Sequence, residues 1–447
     1  MLVRVFAVLA VLLSTATAEA ATCTVPSYNT FYTIPANHTA AEAFKGNFDY
    51  PAATSEPLPS FLSINYHADW KAYLWAVLDY AYEGNNAVDF DVTKNSVRGW
   101  YHALWMHVGE DGREFFHGLT QERPTRPNQL KENTSTTFFT WAVGYYNSFG
   151  ATTFAKVYAD PCNPAIDSIL FPVGTVSFKL LFTSATEQQL PYLAGAPIWK
   201  THTGSGNGRD GRTERSMRLL QVDIAVRDPR DSATGWVFGT FVYNNAVADS
   251  DPWRRLRPVG LAWGNDPTVV PGQPLLESVT DPTLESILFG WTGREELGWG
   301  GRANGPADNL LSSCLSCHAS AQFPRSDDFG NVPPAGAVTD VSKRLTDYFR
   351  NIKAGEVFDL KTKFFGTPEI VDAASVDYSL QLQRGLENMC SEAKAGSAPF
   401  DVAGVPTICL PPQLNVGGPA LAPDTPADAF ELLQSIDFDS LVNNPVR

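Results

Sequence analysis

Three short runs decide the fold: Val176-Ser177-Phe178-Lys179-Leu180-Leu181-Phe182, Arg218-Leu219-Leu220-Gln221-Val222-Asp223-Ile224-Ala225-Val226, and Gly235-Trp236-Val237-Phe238-Gly239-Thr240-Phe241-Val242-Tyr243. All three are rich in β-branched and aromatic residues, which suit a pleated, buried surface. Between the second and third lies the turn-rich Arg227-Asp228-Pro229-Arg230-Asp231-Ser232-Ala233-Thr234. The pair predicts a hairpin in an antiparallel sheet. Upstream, residues 61–108 read as helical, with Trp70, Leu74, Ala76, Val77 and Tyr80 as a core stripe. Downstream, Pro and Gly dominate from Pro252 to Pro274, a loop-rich lead into a different segment. There is no internal repeat, heptad run or low-complexity tract.

The chain has 447 residues, of which 44% are hydrophobic, enough for two cores. With 33 basic and 48 acidic residues its net charge is −15, which repels a phosphate backbone and argues against nucleic-acid binding. Disorder is disfavoured by 11 Trp, 15 Tyr and 27 Phe. The start of the chain, with Arg4, an apolar run Val5 to Leu13 and Ala18-Glu19-Ala20, reads as a signal peptide over residues 1–20. Its apolar region is too short to span a bilayer, and no later run is long enough. The expectation is therefore a secreted or periplasmic protein without a membrane span. Asn37-His38-Thr39 and Asn133-Thr134-Ser135 are glycosylation sequons, relevant in a eukaryotic source.

Six cysteines occur, and Cys314-Leu315-Ser316-Cys317-His318 has the C-x-x-C-H spacing of covalent haem attachment. From composition, roughly one sequence in a thousand would carry it by chance. A redox dithiol, a structural disulfide or half a zinc site are the alternatives. Zinc lacks a second closely spaced pair nearby, and a Gly-rich run, Trp299 to Pro306, precedes the motif where a thioredoxin-like site needs a strand. Gly206-Asn207-Gly208-Arg209-Asp210-Gly211 matches a dinucleotide fingerprint by letters only, since neither a preceding strand nor a following helix completes it.

On this motif, residues 285–395 resemble the c-type cytochromes. The resemblance implies one covalent haem c on Cys314 and Cys317, with His318 as proximal iron ligand. Amphipathic segments Val338 to Lys353 and Ser375 to Glu392, the latter with Tyr378, Leu380, Leu382 and Leu386, have the order of helices packed around a haem. The expected fold is thus α+β: an N-terminal mixed helix and antiparallel-sheet capping domain over residues 21–284, then a mainly α-helical cytochrome c-like domain over residues 285–447. The remaining cysteines would form bridges, with Cys390 to Cys409 and Cys23 to Cys162 as one of three connectivities.

A second cluster lies in Trp100 to Gly118, with His102, His107, Arg113 and His117. Arg113, Phe116 and His117 would share a helix face, a spacing similar to the Arg-x-x-Phe-His element of haem peroxidases. The competing reading makes the histidines buried neighbours of Trp100 and Trp105, and Arg113 with Glu114 a surface pair. The sixth iron position decides the function. Met106, Met217 and Met389 are the candidate thioethers, Met389 foremost by its place near a helix end, against His117 or His107 from the first domain. Arg294, Arg302 and Arg325 are candidates for the haem carboxylates. Three functions follow: a haem-dependent oxidoreductase acting on a small substrate, with peroxide as one oxidant; an electron-transfer cytochrome with a docking domain for a redox partner; and a gas-binding haem protein.

Overall fold

The computed structural model describes residues 34–107, 112–204, 211–230, 232–269, 272–284, 297–324, 348–358, 373–394 and 406–409. Its centre is the hairpin of β6 (Thr213–Arg227) and β7 (Trp236–Tyr243), paired from Gln221 opposite Val242 to Arg227 opposite Trp236. Around it are β1 (Trp100–Tyr101), β2 (Thr120–Gln121), β3 (Thr140–Asn147), β4 (Val176–Thr183), β5 (Ile198–Thr203), β8 (Leu256–Ala262) and β9 (Ser278–Thr280). They form a nine-stranded antiparallel sheet in the order β1-β3-β4-β6-β7-β8-β9, with β2 beside β3 and β5 beside β6. A two-stranded ribbon joins β10 (Gln322–Phe323) to β11 (Ala374–Ser375).

Strand periodicity gives the two faces of the sheet different chemistry. Phe178, Ile224 and Gly239 lie side by side across β4, β6 and β7, flanked by Leu180, Val222 and Phe241. This apolar face is covered by helix α1 (Trp70–Tyr82), which starts where the Asp69 carboxylate accepts from the Ala72 N–H at 2.9 Å. Tyr73, Leu74, Val77 and Leu78 of α1 are fully buried, and burial of each aliphatic one contributes about 1.5–3 kcal/mol. The helix lies so close that a Cβ on Gly239 would stand 2.4 Å from Leu74 Cδ1. On the opposite face the paired rows are Tyr146 and Ser177, Gly144 and Lys179, Lys179 and Asp223, and Ala225 and Phe238. Tyr146 and Phe238 join a second core at the ends of this face, while Gly144, Ser177, Lys179 and Asp223 between them are too small or too polar for close apolar packing. That face is instead partly covered by α2 (Ser148–Val157), α3 (Cys314–Ala319) and α4 (Leu380–Lys394).

Two expectations are corrected. The described residues 61–107 hold one α-helix, α1, with short 3₁₀ turns and strand β1; the chain leaves the helix where Gly84 takes φ +78° and Asn85 turns its amide back onto the Ala81 carbonyl. The mainly α-helical haem domain is also absent from the described residues. Their α-helices are four and short, and the sheet dominates. Leu315, Ala319, Leu382, Leu386 and Met389 pack with Tyr146, Phe154, Trp236 and Phe238, so this core draws on both sides of residue 285. The physical reason is that α3 is six residues long and has too little surface for a core of its own, so it uses the sheet. No helix among the described residues is long and apolar enough to cross a membrane. The signal segment, Cys23, most of the segment Val338 to Lys353, Arg294, Arg325 and most of the loop Gly206 to Gly211 lie outside the described residues.

Candidate functional site

The C-x-x-C-H motif is helix α3. Ser313 caps it reciprocally: its Oγ accepts from the Ser316 N–H at 3.0 Å, and Ser316 Oγ accepts from the Ser313 N–H at 2.9 Å. The Cys314 N–H donates to the Ala303 carbonyl at 3.1 Å, which ties the helix start to the Gly-rich run before it. Leu315, Ser316 and Ala319 are buried, whereas Cys314, Cys317 and His318 are half-buried. Those three positions share one face at i, i+3 and i+4. All three line one cavity of about 400 Å³ between α3, α4 and the polar face of the sheet.

His318 is held by an unusual piece of backbone. Its Nδ1 lies 2.9 Å from the Tyr378 carbonyl oxygen. Asp377 and Tyr378 both have left-handed backbone, φ +49° and +67°, which costs about 1–3 kcal/mol at each non-glycine residue. The corner is fixed by the buried Asp377 carboxylate, which accepts from the N–H groups of Phe171 at 2.7 Å and Gly355 at 3.0 Å and from Trp236 Nε1 at 3.1 Å. The Phe238 ring lies 4.5 Å from the imidazole. Burial lowers the His318 pKa to about 4, so the ring is neutral at pH 7, the state a metal requires of an imidazole. With Nδ1 donating to a carbonyl, Nε2 carries the lone pair. Burial also pushes the Cys314 thiol well above its ordinary value, and Asp308 and Asp223 add to that. Cys314 and Cys317 are not bonded to each other.

The cavity floor carries charge. Lys179 Nζ lies 3.1 Å from Asp223 Oδ2, while Asp223 Oδ1 accepts from Thr240 Oγ1 at 2.6 Å and Gln221 Nε2 at 2.7 Å. Gln221 Nε2 reaches Asp308 as well, at 3.0 Å. Burial raises the Asp223 pKa against the pull of Lys179, and Asp308 raises it further. Burial acts the other way on Lys179, but Asp223, Glu122 and Asp308 outweigh it and hold the ammonium well above its ordinary value. Opposite, α4 contributes Gln381, Arg384, Glu387 and Asn388 to the lining. Gln381 crosses the floor directly over Gly144, where a Cβ would stand 1.6 Å from its Nε2. The Gln381 Oε1 is buried without a hydrogen-bond partner.

Of the residues singled out in the sequence, the cavity gathers Cys314, Cys317, His318 and Met106. It does not gather the histidine and arginine cluster. Residues 112–119 form a turn rather than a helix, so Arg113 and His117 share no helix face. Arg113 is 2% exposed, and its guanidinium donates to the Gly118 carbonyl at 2.7 Å and the Ala103 carbonyl at 3.4 Å, bracing the loop. Glu114 is fully buried and accepts from the N–H groups of Phe116, His117 and His202, so a surface pair with Arg113 is equally excluded. His117 stacks on Trp199 at 4.2 Å and 5°, away from the cavity. His102 is buried against Phe44 and accepts from the Asn47 N–H at 3.1 Å, and His107 is buried beside Trp105. Met389 is fully buried among its core neighbours and lies outside the lining. Arg302 is spent on the carbonyls of Asn265, Asp266, Val269 and Trp299. Cys390 is bonded to Cys409, and Cys162 is also disulfide-bonded.

Lys179, Asp223 and Gln381 are absent from the residues that sequence reasoning singles out. For the first two a signal exists: Lys179 is the single charge in β4 and Asp223 the single charge in the stretch Leu219 to Val226 of β6, and a charge so placed has a physical reason if the strand borders a cavity or a partner. Among the described residues no three His, Cys, Asp or Glu side chains are placed to hold a metal ion directly. No family model, curated protein or solved structure matches the chain.

Proposed function

We propose that the chain is an exported redox protein built around one covalently attached haem c in this cavity. The observation that carries the proposal is that both motif thiols and the motif imidazole open onto one cavity while His318 Nδ1 is fixed to a carbonyl. Cys314 and Cys317 would hold the haem by thioether bonds and His318 would hold its iron through Nε2. Bound there, haem supplies one-electron chemistry at iron. The fit is supported by the neutral state of His318 and by the cavity left on the polar face of the sheet. Lys179, Arg123 and Arg384, engaged with Asp223, with Gln129 and the Ala307 carbonyl, and with Glu387, bring positive charge to the cavity wall where the haem carboxylates would lie.

Electron transfer is the reading the surroundings favour. Peroxide chemistry through Arg113 and His117 loses its support, because both side chains serve the loop and the Trp199 stack rather than the cavity. A small-substrate oxidoreductase retains one supporting observation, the Lys179–Asp223 pair, which holds a proton on Lys179 at the floor. The test is expression in a host with cytochrome c maturation, followed by mass spectrometry and a pyridine haemochrome spectrum. The expected result is one covalent haem per chain in the parent and none in Cys314→Ser/Cys317→Ser. A parent of unmodified mass with a Cys314–Cys317 disulfide would sink the proposal.

A further inference from the structure

We infer that Met106 supplies the sixth ligand to the haem iron from the loop facing α3, an assignment that rests on the haem reading above. Apart from Met1, the chain has three methionines. Met217 is 1% exposed in the core on the α1 side of the sheet, and its sulfur accepts from Thr203 Oγ1 at 3.6 Å. Met389 is fully buried in the core under α4. Met106 alone among the three is half-buried and lines the cavity with Cys314, Cys317 and His318.

The backbone around Met106 is held more tightly than a methionine filling a rim would need. Trp105, fully buried, takes φ +63°, a conformation that is a genuine outlier for a bulky aromatic residue. Its carbonyl accepts from Asn388 Nδ2 of α4 at 3.0 Å. One turn earlier on α4, Gly385 lies against the Leu104 carbonyl, and a Cβ there would stand 2.5 Å from that oxygen. The Met106 carbonyl accepts from the Arg113 N–H at 3.2 Å, and the Arg113 guanidinium reaches Ala103. Four consecutive residues are thus fixed, and the one side chain among them that lines the cavity is a thioether. Such strain persists only where surrounding structure imposes it, and it marks sites where a side chain must be aimed.

The chemistry is a dative bond: the Met106 sulfur donates a lone pair to iron, with no proton or electron transferred. A thioether is a soft ligand that closes the iron and raises its potential, which suits an electron carrier and disfavours turnover of a substrate at iron.

The test uses the full-length haem-loaded protein, with haem content measured first. The oxidised parent is expected to show a near-infrared sulfur-to-iron charge-transfer band. Met106→Leu, a swap of similar volume, should lose that band, bind carbon monoxide when reduced and titrate at a lower potential, while Met389→Leu should keep it. Should Met106→Leu fail to fold, ¹³C-methyl methionine labelling of the reduced parent gives the same answer: one methyl resonance moved far upfield by the haem ring, remaining in Met217→Leu and Met389→Leu. A haem-loaded parent without the band, a band that survives Met106→Leu, or an upfield methyl that disappears with Met389→Leu would each overturn the assignment. A parent without haem would instead overturn the reading on which it rests.

Discussion

Lys179→Met should destabilise the protein by about 2–3 kcal/mol, and Lys179→Met/Asp223→Asn should recover most of that loss. At 3.1 Å and an effective dielectric near 20, the attraction between the two charges is about 5 kcal/mol gross. Some 25% of the Lys179 side chain and 20% of that of Asp223 is exposed, so water screens part of this and the net value falls by roughly half. Truncating one partner of a fully buried pair costs about 3–5 kcal/mol, mostly because the other charge is stranded. Asp223 would keep its bonds from Thr240 and Gln221, which moderates that cost. Methionine preserves the aliphatic stem of Lys179 over the floor, so lost packing contributes little. In the double variant the amide that replaces the Asp223 carboxylate has no charge to strand, and its oxygen can accept the same two bonds. Equilibrium urea unfolding of proteins with equal haem content measures the effect, with the slope checked for constancy. Salt should change it little, because the pair is sheltered. A single variant within about 0.5 kcal/mol of the parent, or a double variant no more stable than the single, would refute the account of a charge-balanced floor.

Three further outcomes are expected. Burial depresses His117 to about 4 from an ordinary 6.5, so the unfolded chain takes up the proton first and stability falls as pH drops from about 6.5 to 4, by up to about 3 kcal/mol; above that window His117 contributes nothing pH-dependent. His117→Phe, which can keep the Trp199 stack, should flatten this acid limb, and parallel pH–stability curves would contradict it. The Cys390–Cys409 bridge closes a loop with a separation of 19 residues, so Cys390→Ser/Cys409→Ser should cost about 3 kcal/mol in denaturant unfolding; no change would mean that the loop is already ordered in the unfolded chain. Gly385→Ala should cost about 1–3 kcal/mol, because the Leu104 carbonyl facing it is backbone and cannot swing aside; an unchanged thermal midpoint would show that α4 and the loop separate freely.

The sheet was legible where strand composition was strongest. Val176 to Phe182, Arg218 to Val226 and Trp236 to Tyr243 fall within β4, β6 and β7, because β-branched and aromatic runs of that length favour strands once turn residues bracket them. The motif's local chemistry was legible too, since six residues fix which side chains share a face. Its setting was not. C-x-x-C-H specifies a turn and a half of helix and nothing about what lies opposite, and the expectation of surrounding helices came from the resemblance rather than from these residues. Composition misled at Arg113 to His117 as well. The spacing suits a helix, but the buried Glu114 carboxylate accepts from the N–H groups of Phe116, His117 and His202 and stabilises a turn instead.

What the sheet provides differs in kind from what helices would provide. A helix turns its side chains through a full circle, so a cavity between helices is walled by whichever residues happen to converge. A strand turns alternate side chains to one face, and two neighbouring strands in fixed register place chosen residues side by side. Lys179 and Asp223 are such a register pair, and Gly144 beside Lys179 leaves the space that Gln381 crosses. Those groups sit on the backbone ladder of the molecule's central strands, where local motion is most restricted. A reaction centre above this floor would therefore meet charges whose positions are set by the fold itself, while its upper wall, the loop of Trp105 and Met106, is set by the tether to α4. The two walls are built by independent devices. Changes at Lys179 should alter the charge in the cavity without releasing Met106, and changes at Gly385 or Asn388 should release Met106 without altering the charge.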